Sequence, residues 1–275
     1  MASAPVPGWR RVVSTGAGFV CAESLTGFPF LRHGVTLRGP AEAPFNLSFS
    51  VTEDAGGVRA NRARACALFG FALDALVVPA QVHGAGVAVV GLQDRSAGAA
   101  SAATAIPACD ALVTATPGLL LGITIADCLP VFLFDPVHRA IGLAHSGWRG
   151  TAGRIAVRAL ESMTQAFGTR PEACLAALGP CIGPDGYEVD APVYEAFAAS
   201  DACGPGVFAP TRPGHWFLDL MAAARHQLRA AGVPAAQISL APWRTHRDTD
   251  LFFSHRLAPG CPRMGAFLGL LPGPG

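Results

Sequence analysis

The chain contains no lysine; all twenty of its basic residues are arginine. Schiff-base catalysis and a P-loop lysine are thereby excluded. Charge is scarce altogether: 14% of the 275 residues are charged and the formal net charge is +1. That balance gives no electrostatic case for nucleic acid or an anionic membrane as a partner. No apolar stretch of the sequence reaches the roughly 20 residues of a transmembrane helix. The opening MASAPVPGWRRVV lacks a basic region followed by an apolar one, so no signal peptide is expected and the cytoplasm is the expected compartment. Cys-x-x-Cys pairs are missing, which leaves a zinc ribbon and a thioredoxin motif without support. Eight cysteines in a cytoplasmic chain are then expected as thiols or ligands, not as disulfides.

Apolar residues make up 51% of the chain, enough for a sizeable core. With 32 glycines and 23 prolines, turns and short elements are expected. The richness in Ala, Gly, Arg and Pro fits a GC-rich bacterial genome. No internal repeat or low-complexity linker is visible. The most loop-like interior piece, Arg95 to Pro107, is short enough for a surface excursion within one domain.

The centre reads as strands and turns: Gly86 to Leu92, Asp110 to Thr116, Leu119 to Ile125, Val131 to Asp135 and Ala140 to Ser146. From Gly150 to Phe167 the period becomes helical, with Ile155, Leu160, Met163 and Phe167 near one face. Another strand is expected at Ala173 to Gly179 and helices at Val193 to Ser200 and Leu218 to Gly232. A final strand is expected at Arg263 to Leu271. Tight turns join several strands, so an all-parallel βαβ pattern does not fit, and a mixed α/β or α+β fold does.

Three short motifs carry chemistry. His83 stands in QVHG, Cys128 in ADC between two apolar runs, and His145 in AHSGWRG at a strand end. Taken singly, His83 reads as a turn residue and Cys128 as a core thiol, since free cysteine is among the most buried residue types. Together they supply two imidazoles and one thiolate, a ligand set suited to Zn2+. Three protein ligands leave the fourth tetrahedral position open, as in catalytic sites. The same residue types also suit a Cys128 nucleophile with His83 or His145 as base.

Six segments in order, QVHG, CDALVT, ADCLPV, AHSGWRGT, LGPCIGPDGYEV and FFSHR…PRMGAF, resemble the bacterial YfiH-like family. That family is also called the laccase-domain or multicopper polyphenol oxidase family. The resemblance runs from about His33 to the C-terminus. It implies a single α/β domain, taken here as 1–275, with mixed β-sheets sandwiched between helices. It implies a zinc enzyme that phosphorolyses adenosine, inosine, guanosine and methylthioadenosine and deaminates adenosine. Some relatives are described as peptidoglycan-editing factors. The family's metal ligands map onto His83, Cys128 and His145. Purine nucleosides and phosphate are the implied partners, for a monomer or small homo-oligomer.

Other positions have two readings. Asp127 is an acid/base candidate, or a carboxylate that caps a strand end. Arg149 in GWRG could hold phosphate at a helix start or pair with a carboxylate. Arg38, Asn46 and Arg62 lie in family-like segments, as substrate contacts or as structural residues. His33, His246 and His255 are candidates for pocket lining, as are Cys181, Tyr187 and Glu188. His138 reads as a solvated turn residue and Cys109 as packing, while His215 and His226 show no partner. The chain departs from the family pattern at Ile125, at Arg244, in Ser50 to Glu53, and at Pro262 within SHRLAPGCPR. These departures put substrate preference in doubt more than the metal triad.

The laccase label meets a compositional objection. A multicopper relay needs several His-x-His pairs, and the eight histidines here include none. Cu2+ as a substitute on the same three ligands is compatible with their chemistry. The enzyme expected is therefore a zinc-dependent purine nucleoside phosphorylase and adenosine deaminase. The alternatives are a peptidoglycan-precursor amidohydrolase, a cysteine hydrolase, a copper polyphenol oxidase, or a purine- or muropeptide-binding module without turnover.

Overall fold

The structure, a computed structural model, describes residues 8–14, 17–200 and 202–272. Met1 to Pro7, the start of the stretch read above for a leader, lie outside them. Fifteen strands form three sheets among the described residues. The first contains β1 (Trp9–Ser14), β2 (Ala17–Ala22), β3 (Leu31–Thr36), β4 (Leu76–Val77), β7 (Leu120–Ile125) and β15 (Met264–Leu270), in the order β1-β2-β3-β15-β7-β4. The second contains β5 (Val87–Val89), β6 (Ala111–Thr114), β8 (Leu129–Asp135), β9 (Ala140–Ser146), β10 (Leu175–Leu178) and β14 (Ile238–Leu240), in the order β14-β10-β8-β9-β6-β5. A small sheet of β11 (Glu188–Asp190), β12 (Phe208–Pro210) and β13 (His215–Leu218) stands apart. Pairing among the described strands is mostly antiparallel, with parallel neighbours at β4–β7, β5–β6 and β10–β14.

The two large sheets face one another, with β7 and β15 against β8 and β9. Helices cover both outer faces. On one side α1 (Ala55–Leu68) buries Ala65 and Cys66 among Phe45, Phe69, Leu120 and Phe267. On the other, α3 (Ile155–Phe167) lies on β9, β6 and β5, and α5 (Leu220–Ala230) reaches β10. Two shorter helices, α2 (Trp148–Ala152) and α4 (Ala191–Ala198), complete the set. The result is a single α/β domain of sheets sandwiched between helices, as the motifs implied. No helix among the described residues is long and apolar enough to cross a membrane.

This layering explains the sequence pattern. Every residue of β8 and β9 is buried. A strand covered on both faces shows a continuous apolar run instead of alternation. The helix expected from Gly150 is in fact two helices, because Arg154 adopts a left-handed conformation with φ 59 between α2 and α3. The segment Arg95 to Pro107 is more than a surface excursion. Ala99 is buried, and Arg62 holds the carbonyls of Gly98 and Ala99.

Candidate metal centre

The stretch TIADCLP crosses from one sheet to the other. β7 ends at Ile125 in the first sheet and β8 begins at Leu129 in the second. The three residues between them make the turn, and Asp127 takes φ 88 to do so. Cys128 therefore sits at the mouth between the sheets. The register of β8 with β9 places His145 opposite Pro130, at the same end of the sandwich. His83 arrives on the loop after β4, also with positive φ, at 58.

One ligand atom from each of His83, Cys128 and His145 lies within 4.8 Å of the others. The two imidazole rings are 4.9 Å apart and nearly perpendicular, at 78°. His145 is buried, Cys128 half-buried and His83 exposed, so the cluster opens to solvent on the His83 side. Space is kept for it by Gly147. A Cβ there would stand 3.0 Å from Cys128 Sγ and 3.5 Å from His83 Cδ2.

The sequence reading missed the residue that organises this cluster. Asp110 is wholly buried, and its carboxylate accepts four hydrogen bonds. Three come from consecutive backbone N–H groups: Val82 (3.1 Å), His83 (3.0 Å) and Gly84 (2.8 Å). The fourth joins His145 Nδ1 at 2.8 Å. One carboxylate thus holds the strained His83 loop and the His145 ring together, the usual outer support of a metal-ligating histidine. The signal was present once pairing is known. Ala111 of β6 faces Ala144 of β9, which sets Asp110 beside His145.

Charge state follows from this geometry. Burial pushes the Cys128 thiol up, but His145 and His83 beside it reverse that and bring it down to about 6. Burial lowers His145, yet the Cys128 sulfur and the Asp110 carboxylate carry it up to about 9. Asp110 is held below the usual carboxylate range, with burial opposing and the His145 and backbone hydrogen bonds prevailing. The other seven cysteines are all pushed up, burial being the first cause in each. Cys128 alone among the eight is set up as a thiolate at neutral pH. Two imidazoles and one thiolate, converging from rigid elements with one open side, fit Zn2+.

The remaining candidates stand elsewhere. Asp127 accepts from Thr245 Oγ1 (2.6 Å) and from the Arg256 N–H (2.7 Å), so both its oxygens are engaged by the late loops. Asn46 bonds Ser48 and the Arg263 N–H, tying two loops together. Arg38 donates to the Thr249 carbonyl at 2.5 Å and lies over Phe253. Arg149 is exposed and stacks on Trp148 at 4.2 Å, and no described carboxylate pairs with it. Tyr187 lies under Arg256, and Glu188 pairs with Arg212.

Of the second-tier residues, His33 is buried against Ala22 in the first sheet. His246 bonds Gly183 and Asp185, and His255 bonds Gly260 and Arg263. Cys181 and Cys109 are buried, as packing residues would be. His138 is not merely a solvated turn residue: its Nδ1 is 2.7 Å from buried Asp135. His215 meets the Pro213 carbonyl, and the His226 ring packs against Gly204.

Fold and cluster together define a class: a single α/β sandwich with an open His-Cys-His cluster of metal-ligating residue types between its two large sheets. Residues 28–271 match the family model described as multi-copper polyphenol oxidoreductase laccase, and the chain belongs to that family. It is 39% identical over 240 residues to purine nucleoside phosphorylase YlmD of Geobacillus stearothermophilus, covering 86% of this chain and 87% of that one. The crystal structure of YlmD from Geobacillus stearothermophilus superposes with a TM-score of 0.89 at 34% identity, covering 97% of this chain and all of the other. A relative from an unknown prokaryotic organism, adenosine deaminase RL5, is 37% identical over 235 residues, covering 85% of this chain and 89% of its own.

Proposed function

We propose that the chain, as one domain over 1–275, is a zinc-dependent purine nucleoside phosphorylase that also deaminates adenosine and accepts methylthioadenosine. The observation that supports this most is the convergence of His83, Cys128 and His145 on one point, in a chain whose relatives carry the two activities in their names. When bound, zinc supplies a Lewis acid at that point, and Cu2+ is a chemically compatible substitute.

The chain's own residues do the rest. Asp110 fixes the tautomer of His145, so that Nε2 is the nitrogen presented to the cluster. A cavity of about 470 Å³ lined by Arg38, Phe252, Phe253, Ser254 and Cys261 receives the nucleoside. Its wall is the loop whose Arg256 N–H holds Asp127, the neighbour of Cys128. Ser254 Oγ is buried there with no hydrogen-bond partner among the described residues, and so is available to a polar edge of the ligand. Arg38 supplies the positive charge of that pocket, and exposed Arg149, just past the end of β9 that carries His145, is a further candidate contact for the bound substrate. Asn46 joins the pocket loop, through Arg263, to Ser48. Asp127 acts on the reaction by holding these loops, with proton transfer as its further candidate role.

In phosphorolysis a phosphate oxygen bonds to the ribose anomeric carbon. The glycosidic bond breaks, and its electron pair leaves with the purine, which takes a proton. In deamination water adds at the amino-bearing carbon and ammonia leaves. A second reading has one specific support. A thiolate at about pH 6 beside two imidazoles is also the arrangement of a cysteine nucleophile. It would serve amide hydrolysis on a cell-wall precursor. Incubating purified protein with adenosine, with and without phosphate, and resolving the products by chromatography tests the proposal. Adenine formed only with phosphate, and inosine formed without it, are expected. No product under either condition contradicts the reading.

A further inference from the structure

Arg62 is 5% exposed, in the buried stripe of α1. Its Nε donates to the Leu47 carbonyl at 2.8 Å, and Nη1 donates to the carbonyls of Gly98 and Ala99. Its guanidinium lies 4.5 Å over the Phe49 ring. All these partners are neutral. Among the described residues no carboxylate pairs with it, and Nη2 has no acceptor. Burying a charge without a counter-charge is costly, and a guanidinium keeps its charge where a lysine would not.

Beside Arg62 lies a cavity of about 270 Å³, lined also by Ser48, Ser50, Gln81, Val82 and Thr124. No acidic side chain among the described residues lines it. The Gln81 amide is fixed by Thr124: its oxygen accepts from the Thr124 N–H (2.8 Å) and hydroxyl (3.0 Å), and one of its N–H groups donates to the carbonyl (2.9 Å). The Ser48 and Ser50 hydroxyls are 2.8 Å apart. Whichever of them donates, the other's proton remains free for a ligand. A cavity with a buried cation, a spare hydroxyl proton and no carboxylate suits an oxyanion. It also lies next to the metal centre, because Gln81 and Val82 lead directly into His83, and Val82 shares Asp110 with it.

We propose that this cavity is an inorganic phosphate site, held by Arg62 and by the Ser48–Ser50 hydroxyl pair. The choice of phosphate among oxyanions rests on the phosphorolysis reading; the anion site itself rests on the geometry. Asn46, whose side chain accepts from the Ser48 and Arg263 N–H groups, ties this cavity to the loop that walls the nucleoside pocket.

Calorimetric titration of inorganic phosphate into the metal-loaded protein tests it. Wild type binds phosphate, and Ser50→Asp weakens binding by at least about tenfold, because the new carboxylate takes the place of the anion. Ser50 is exposed, so this variant folds even if Arg62→Met does not. Equal affinity in Ser50→Asp and wild type, or no binding by wild type, overturns the proposal. If inosine is phosphorolysed while Ser50→Asp binds phosphate normally, the site is wrong and the function stands. If Ser50→Asp loses phosphate but no nucleoside is cleaved, the site stands and the function is wrong.

Discussion

A histidine–aspartate pair stands at each end of the β8–β9 hairpin, and only one belongs to the candidate metal centre. At the open end His145 Nδ1 meets Asp110 at 2.8 Å, and at the turn His138 Nδ1 meets Asp135 at 2.7 Å. Both carboxylates are fully buried and both are held below the usual range. The difference lies in what the second ring nitrogen faces. At His145 it faces a thiolate and a second imidazole in a buried setting. His138 is 39% exposed, with Gly168 beside its ring. Asp135 also accepts the N–H groups of Val137 and His138, which makes that pair a turn lock. A buried carboxylate on a histidine is thus no signature of function. What the far nitrogen meets decides it.

Substitutions separate the two ends, and the largest effect is expected at the sulfur. Cys128→Ala should remove metal from the purified protein, with activity falling by about three orders of magnitude or more. Elemental analysis together with nucleoside assays checks this. Asp110→Asn should weaken metal binding by about 10- to 100-fold, whereas Asp135→Asn should leave it unchanged. Competition with a chromogenic chelator reads both. Equal metal affinity in the two variants would erase the distinction between the ends.

A second buried histidine gives a smaller effect of another kind. Burial holds His33 down to about 4, with an opposing contribution from the Ala22 backbone. Its folded value lies below the roughly 6.5 of a free imidazole, so the unfolded chain binds more protons in between. Stability is therefore fully present above about pH 6.5 and is lost as pH falls toward 4. The loss amounts to about 3 kcal/mol at the acid end. Urea unfolding at neutral pH and near pH 4.5 should show most of that loss in wild type and none of it in His33→Gln. The smallest effect is expected at the turn: His138→Ala should cost about 1 kcal/mol and leave the metal in place.

The legibility of the chain follows the same divide. Strands β6 to β9 were readable because burial on both faces makes them unbroken apolar runs. The His83–Cys128–His145 cluster was readable because Cys128 and His145 stand at the ends of such runs and all three lie inside motifs with family-like neighbours. α1 was not, since its buried stripe runs Val58, Arg62, Ala65 and Cys66, and an arginine in that stripe hides the helical period. Nor was the hairpin of β1 and β2, where charged and small residues interrupt the alternation. Asp110 stayed hidden because its importance depends on the pairing of β6 with β9 across more than thirty residues. The break between α2 and α3 was likewise invisible, because nothing in GRI announces a left-handed arginine.

The central claim is that Cys128 is a metal ligand between two imidazoles and not a free nucleophile. Metal analysis of protein purified without added metal, for wild type and Cys128→Ala side by side, tests it directly. The account predicts one zinc per wild-type chain and none in the variant. A metal-free wild-type protein that is fully active, and is inactivated by alkylation of Cys128, would contradict it.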